Sequence, residues 1–136
     1  MTTMHALRNV AKRYQTVRVE TSSPVDLVVM LFDGIMRFTR EAEEAIQKKD
    51  VARAGERIGR AHAILEELVG SLDPEKAPEV CETLTGVYGY CMRRLVQANL
   101  EQDGMILAEV RDVLVPVREA WAELAKNPPP LTPPST

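Results

Sequence analysis

The sequence predicts an all-α protein: an antiparallel up-down-up-down four-helix bundle, with an extended N-terminal leader packed on it and a Pro-rich C-terminal tail. Three observations predict it. Apolar residues recur in alternating steps of three and four along four segments, the period of one helix face. The breaks between those segments are only a few residues long, and short connections make consecutive helices antiparallel. Aromatic residues are just 4% of the chain, so the core is built from Leu, Val, Ile, Met and Ala, a palette suited to packed helices.

The first helix, 24–48, opens at Ser23-Pro24-Val25-Asp26. Ser23 is placed to cap, Pro24 suits the first helical position, and Asp26 opposes the helix dipole. Its seam is Val28, Leu31, Ile35, Phe38, Ala42 and Ala45. The second helix, 51–72, starts at the cap Asp50 and runs through Val51, Ala54, Ile58, Ala61, Leu65, Leu68 and Leu72 until Asp73-Pro74 stops it. Gly55 and Gly59 each weaken it by ~1 kcal/mol relative to alanine unless a neighbour approaches there. Pro78 opens the third, 78–101, with the seam Val80, Leu84, Val87, Cys91, Leu95 and Ala98. Asp103 caps the fourth, 104–126, with Leu107, Val110, Leu114, Val117, Trp121 and Leu124 inside and a kink expected at Pro116. The chain thus divides into a leader (1–22), a bundle (23–127) and a tail (128–136) whose proline content predicts no packed structure.

Several function classes are excluded. A net charge of −3 gives no general attraction to nucleic acid or anionic lipid. Arg53, Arg57 and Arg60 do form a basic stripe on one helix face, which leaves a nucleic-acid-binding bundle as an alternative. Cys81 and Cys91 lack metal or disulfide spacing, and Cys91 reads as a small core hydrophobe. No apolar run reaches membrane-spanning length, and the N-terminus is not a secretory signal, so a cytoplasmic protein without membrane insertion is expected. No Glu-x-x-His pair, catalytic triad or phosphate loop is present, which argues against an enzyme, a metal or a cofactor. His62 reads as a half-buried, hydrogen-bonded side chain.

Two features exceed the needs of a core. Leu27, Val28, Val29, Met30, Leu31 and Phe32 are apolar around the whole helix, so something beyond two neighbouring helices must cover them: the leader, a partner, or each in turn. The leader around Tyr14, Val17 and Val19 alternates like an extended segment and has no partner strand. On the third helix, Gly86 and Gly89 leave a notch between Tyr88 and Tyr90 that could admit a foreign helix, or serve dimerisation in a purely structural bundle.

These residues also carry a resemblance. Tyr14-Gln15, Val19, Thr21-Ser22-Ser23-Pro24 and Met30-Leu31-Phe32-Asp33-Gly34 come in the order of the opening of the FliS family of flagellar export chaperones. Tyr88-x-Tyr90, Arg93-Arg94-Leu95 and Gln97-Ala98-Asn99 resemble that family's third helix, and Asp103, Leu107-Ala108-Glu109-Val110 and Trp121 its fourth. Phe32 stands where the motif has tyrosine. The resemblance implies a cytosolic helical bundle that binds the disordered C-terminal region of flagellin, prevents premature polymerisation and helps deliver it to a component of the flagellar export gate. It also implies that the leader covers part of the client surface when flagellin is absent. Tyr14, Val17, Val19, Leu27, Met30, Leu31, Phe32, Asp33, Gly86, Tyr88, Gly89, Tyr90 and Leu95 are the expected client and lid residues.

Overall fold

The computed structural model describes residues 24–127. They form four helices: α1 (Pro24–Gln47), α2 (Val51–Gly70), α3 (Pro78–Glu101) and α4 (Gly104–Lys126). The helices pack in antiparallel contacts around a ring in which α1 and α3 each lie beside α2 and α4 and meet one another diagonally, through side chains across the core. Ser23, the leader and the tail lie outside the described residues, so the expectations placed on them are not judged by this structure.

Local chemistry explains the boundaries. The Arg53 amide donates to Asp50 Oδ1 at 3.1 Å and the Met105 amide to Asp103 Oδ1 at 2.9 Å, so each aspartate caps one of the orphan donors of a helix start. Gln102 turns the chain after α3 in the left-handed region, at φ 52°. The second helix ends at Gly70, two residues before the expected 72. Ser71 supplies the reason: its amide closes the last turn onto Glu67, and its hydroxyl donates to the Leu68 carbonyl at 2.8 Å.

The core is one continuous cluster running from Val28 and Phe32 through Ile58, Leu65, Leu95 and Leu107 to Leu114. Thr39, the polar residue within it, donates its hydroxyl back to the Ile35 and Met36 carbonyls, so nothing polar there is left unpaired. Gly34 is required by close packing: a Cβ there would stand 3.1 Å from Ile64 Cδ1. The motif glycine therefore lies against the Ile64 side chain of α2. At the other end of α1, a Cβ on Gly104 would meet Glu43 Cγ at 2.9 Å, and Glu43 also pairs with Arg111.

Two expectations need correction. Val51 and Val80 are not core residues but 60% and 56% exposed. Val51 is the first residue of its helix and overhangs the bundle end. On α3 the inside face is Cys81, Leu84, Tyr88, Cys91, Leu95 and Ala98, again in threes and fours, so Val80 turns outward, while Val87 stays half-buried against the core. α4 runs through Pro116 to Lys126. Pro116 and Asp112 both face solvent, so the carbonyl that lacks its helical donor there is hydrated at little cost.

Leu65→Ala is expected to destabilise the fold by about 2–5 kcal/mol, because a fully buried side chain leaves a cavity. Leu100→Ala, at a position 75% exposed, should change stability by less than ~0.5 kcal/mol. Urea unfolding of the two variants beside the parent protein checks both.

Candidate client-binding surface

Tyr88 organises the site. It is buried against Phe32, with ring centroids 6.1 Å apart and planes tilted by 53°. Such a pair contributes roughly 0.5–1.5 kcal/mol beyond its buried area. The Tyr88 hydroxyl is hydrogen-bonded to Trp121, and burial pushes its phenol up to about 12. Phe32 is itself fully buried, so a hydroxyl in its place would need a partner inside the core.

Five expected client residues thus prove to be interior. Leu27, Leu31, Phe32, Tyr88 and Leu95 are buried, and all but Leu27 belong to the continuous core cluster. The all-round apolar start of α1 is covered on most sides, leaving Val29 and Met30 half-exposed. Asp33 is exposed but occupied: Arg118 Nε donates to its Oδ1 at 2.7 Å, tying α1 to α4. Tyr14, Val17 and Val19 lie outside the described residues.

The remaining candidates surround a groove. Since Tyr88 points inward, Tyr90 points out beside α4, where it is 40% exposed. Its hydroxyl donates to Glu109 Oε1 at 2.7 Å, and Arg94 binds the same carboxylate through Nε and Nη2 at 3.0 and 3.2 Å. The Arg94 bond, then the Tyr90 bond, holds the Glu109 carboxyl below its ordinary range. This bridge closes the α3–α4 seam at mid-helix. Toward the α3 N-terminus the seam opens into a cavity of about 700 Å³ lined by Glu79, Glu82, Thr83, Gly86, Val87, Tyr90 and Val113. A Cβ on Gly86 would meet nothing within 4 Å, whereas Gly89 lies under the Arg93 guanidinium. The notch exists at Gly86, and Tyr90 alone of the two tyrosines borders it.

Sequence reasoning missed four contributors. Val113 and the exposed Val80 belong to this face because α3 is rotated about Tyr88, and spacing alone had put Val80 inside. On the opposite flank of α3, Val96 and Leu100 are exposed as well. A smaller cavity of about 430 Å³ lies between α2 and α3, lined by Val69, Leu72, Pro74, Pro78, Cys81, Glu82 and Thr85. Its wall includes Cys81, whose thiol donates to the Asp73 carbonyl at 3.2 Å. Both flanks of α3 are therefore open, and α3 is also the helix less extensively packed than α1.

The arginine stripe is not a free basic surface. Arg57 stands 3.5 Å from Glu41 and 3.1 Å from Glu56, with its guanidinium 5.7 Å from the Phe38 ring centroid. Arg60 donates to Glu56 at 2.8 Å, and that bond leads the arginine contacts that keep the Glu56 carboxyl low. His62 Nδ1 is 2.9 Å from Glu66 Oε1, the hydrogen-bonded role expected of it.

A family model described as "Flagellar protein FliS" matches residues 7–128, which include every element just described. The chain belongs to the FliS family. It is 36% identical over 122 residues to the flagellar secretion chaperone FliS of Bacillus subtilis, covering 90% of each chain. It is 36% identical over 119 residues to FliS of Salmonella typhimurium, covering 84% of this chain and 88% of that one. FliSB of Pseudomonas aeruginosa is 31% identical over 122 residues, covering 87% and 96%. The FliS motif residues now have physical duties: Gly34 admits α2, Asp33 holds Arg118, Tyr88 fills the core, and Tyr90, Arg94 and Glu109 bridge α3 to α4.

Glu109→Gln tests that bridge. The folded carboxyl titrates below its unfolded value, so its stabilisation is present above the unfolded value and is lost as pH falls through the folded one. The variant should unfold at lower urea than the parent protein at pH 7, and the gap should close as acid protonates the folded carboxyl. A gap independent of pH would show that the bridge contributes packing and no charge.

Proposed function

We propose that this protein is a flagellar secretion chaperone, not an enzyme, which binds the disordered C-terminal region of flagellin in the cytoplasm, keeps it from polymerising and assists its delivery to the export gate. Membership of FliS supports the client class. The observation that carries the mechanism is the outward face of α3: Val80, Gly86, Val87, Tyr90, Val96 and Leu100 offer apolar surface on both flanks of a helix whose core face is already satisfied. A disordered segment loses conformational entropy when it orders, so a long apolar track must compensate. Two open flanks on one helix supply a longer track than one pocket.

Among the described residues, no helix is long and apolar enough to cross a membrane. The nucleic-acid alternative is weakened because two of the three stripe arginines, Arg57 and Arg60, already pair with Glu41 and Glu56. The leader, with Tyr14, Val17 and Val19, serves in this reading as a reversible lid over apolar surface, weakly enough held for a client to displace it.

Two measurements test the proposal. The protein should co-elute with flagellin but not with flagellin lacking its disordered C-terminal region, and the complex should tolerate salt that dissolves a phosphate-backbone contact. Co-elution indifferent to the truncation would overturn it. Deleting the residues before Thr21 should raise client affinity and lower solubility, and a variant unchanged in both would remove the lid.

A further inference from the structure

We infer that the α3–α4 groove selects its occupant by charge: it takes an apolar segment that sets a Lys or Arg side chain against Glu79 and Glu82, and rejects one that brings an acid there. The inference rests on the proposed client-binding role and adds the chemistry that the client segment must carry. Among the residues lining the groove, Glu79 and Glu82 are the charged ones. Both are exposed, and neither has a hydrogen bond or ion pair among the described residues. Nearby cations leave them uncompensated. Arg94 is held by Glu109 at the closed end of the groove. Lys76 and Lys126 belong to the bundle end where α3 begins, yet pair with neither glutamate.

A segment that covers the groove takes water away from these carboxylates. Desolvating an anion without a partner is costly, so an occupant that supplies a cation is favoured and one that supplies a like charge is penalised. The helix sets the spacing. Glu79, Thr83, Gly86 and Tyr90 follow one another at steps of four, three and four, a single stripe along α3. Gly86 is the open notch, where a Cβ would meet nothing within 4 Å. Glu82 lies ~6 Å from it along the axis and Glu79 ~10 Å, at ~1.5 Å per residue. The cation of a helical client therefore stands one to two turns from the apolar side chain that enters the notch. At the other end of the stripe the Tyr90 hydroxyl is held by Glu109, which leaves the ring as an apolar contact. Helix stability accounts for one of the two acids. Glu79, in the first turn of α3, also opposes the helix dipole, an effect that fades within that turn. Glu82 lies beyond it. It lines the α2–α3 cavity as well, so it stands on the crest between the two flanks.

Titrating the parent protein and four variants with flagellin tests the selection. At low salt, Glu82→Gln should weaken binding about threefold and Glu82→Lys roughly tenfold or more. Combining Glu79→Gln with Glu82→Gln should weaken it beyond Glu82→Gln alone. These differences should shrink at ~1 M salt, where the screening length is ~3 Å. Glu44→Lys makes the same change of charge as Glu82→Lys at an exposed position of the opposite bundle end, and should leave affinity within about twofold of the parent value. Urea midpoints of the same samples separate a loss of binding from a loss of folding. Changing the Lys and Arg residues of the flagellin C-terminal region to Glu, one at a time, should reveal a substitution that restores binding to the Glu82→Lys variant. Equal affinity of parent and Glu82 variants would overturn the selection and leave the client assignment standing. So would a loss matched by Glu44→Lys, which would reduce the effect to net charge, or the absence of any restoring substitution. A parent protein that bound no flagellin at all would remove the client assignment and the selection together, an outcome distinct from equal binding throughout.

Discussion

The packing of Tyr88 against Phe32 sets the rotation of α3, and the outer surface of the bundle follows from that rotation. A helix can present only one stripe inward. With Cys81, Tyr88, Cys91, Leu95 and Ala98 on the axis, Val80, Val87 and Tyr90 must turn toward α4, while Val96 and Leu100 turn out on the α2 side. A large ring occupies the core position where the spacing of aliphatic residues alone would put a valine. The aliphatic residues it displaces become the exposed track. Core packing and the exposed apolar track are thus two sides of one helix.

The charged residues act mainly as ties between helices. Asp33 to Arg118 and Glu43 to Arg111 fasten α1 to α4, while Arg94 and Tyr90 on Glu109 fasten α3 to α4. Half-exposed pairs of this kind contribute little individually to stability. Their position matters more. The Glu109 bridge ends the groove at mid-helix and holds the Tyr90 hydroxyl, so it shapes the exposed surface between α3 and α4. Asp33, which motif reading placed among client residues, also ties α1 to α4 through Arg118.

Burial also governs the two cysteines. Cys91 lies on the bundle axis, where desolvation pushes its thiol up to about 11, and Cys81 spends its proton on the Asp73 carbonyl. Both are core atoms of small volume and low reactivity. The connection from α2 to α3 is steadied by the Cys81 contact and by Asp73, which accepts from the Glu75 amide at 3.0 Å. It carries no glycine, and among the described residues none of the glycines has a positive φ. The turns are made with capping side chains and with Lys49 and Gln102 in the left-handed region.

The four helices, their caps at Asp50 and Asp103 and the order of the family's motifs could be read from the amino-acid sequence, because helical periodicity and capping are local and leave their mark within a few residues. The seam of α1 was equally legible, since its apolar residues have one consistent inward solution. For α3 two stripes one residue apart both keep steps of three and four, Val80–Leu84–Val87 and Cys81–Leu84–Tyr88, and no local rule chooses between them. Tertiary packing chose: Phe32 across the core and Trp121 from α4 satisfy a tyrosine ring and hydroxyl that a valine would leave without contacts. For the same reason sequence alone pointed to an apolar surplus on this chain, whereas which side chains face outward depended on how the other three helices close around α3.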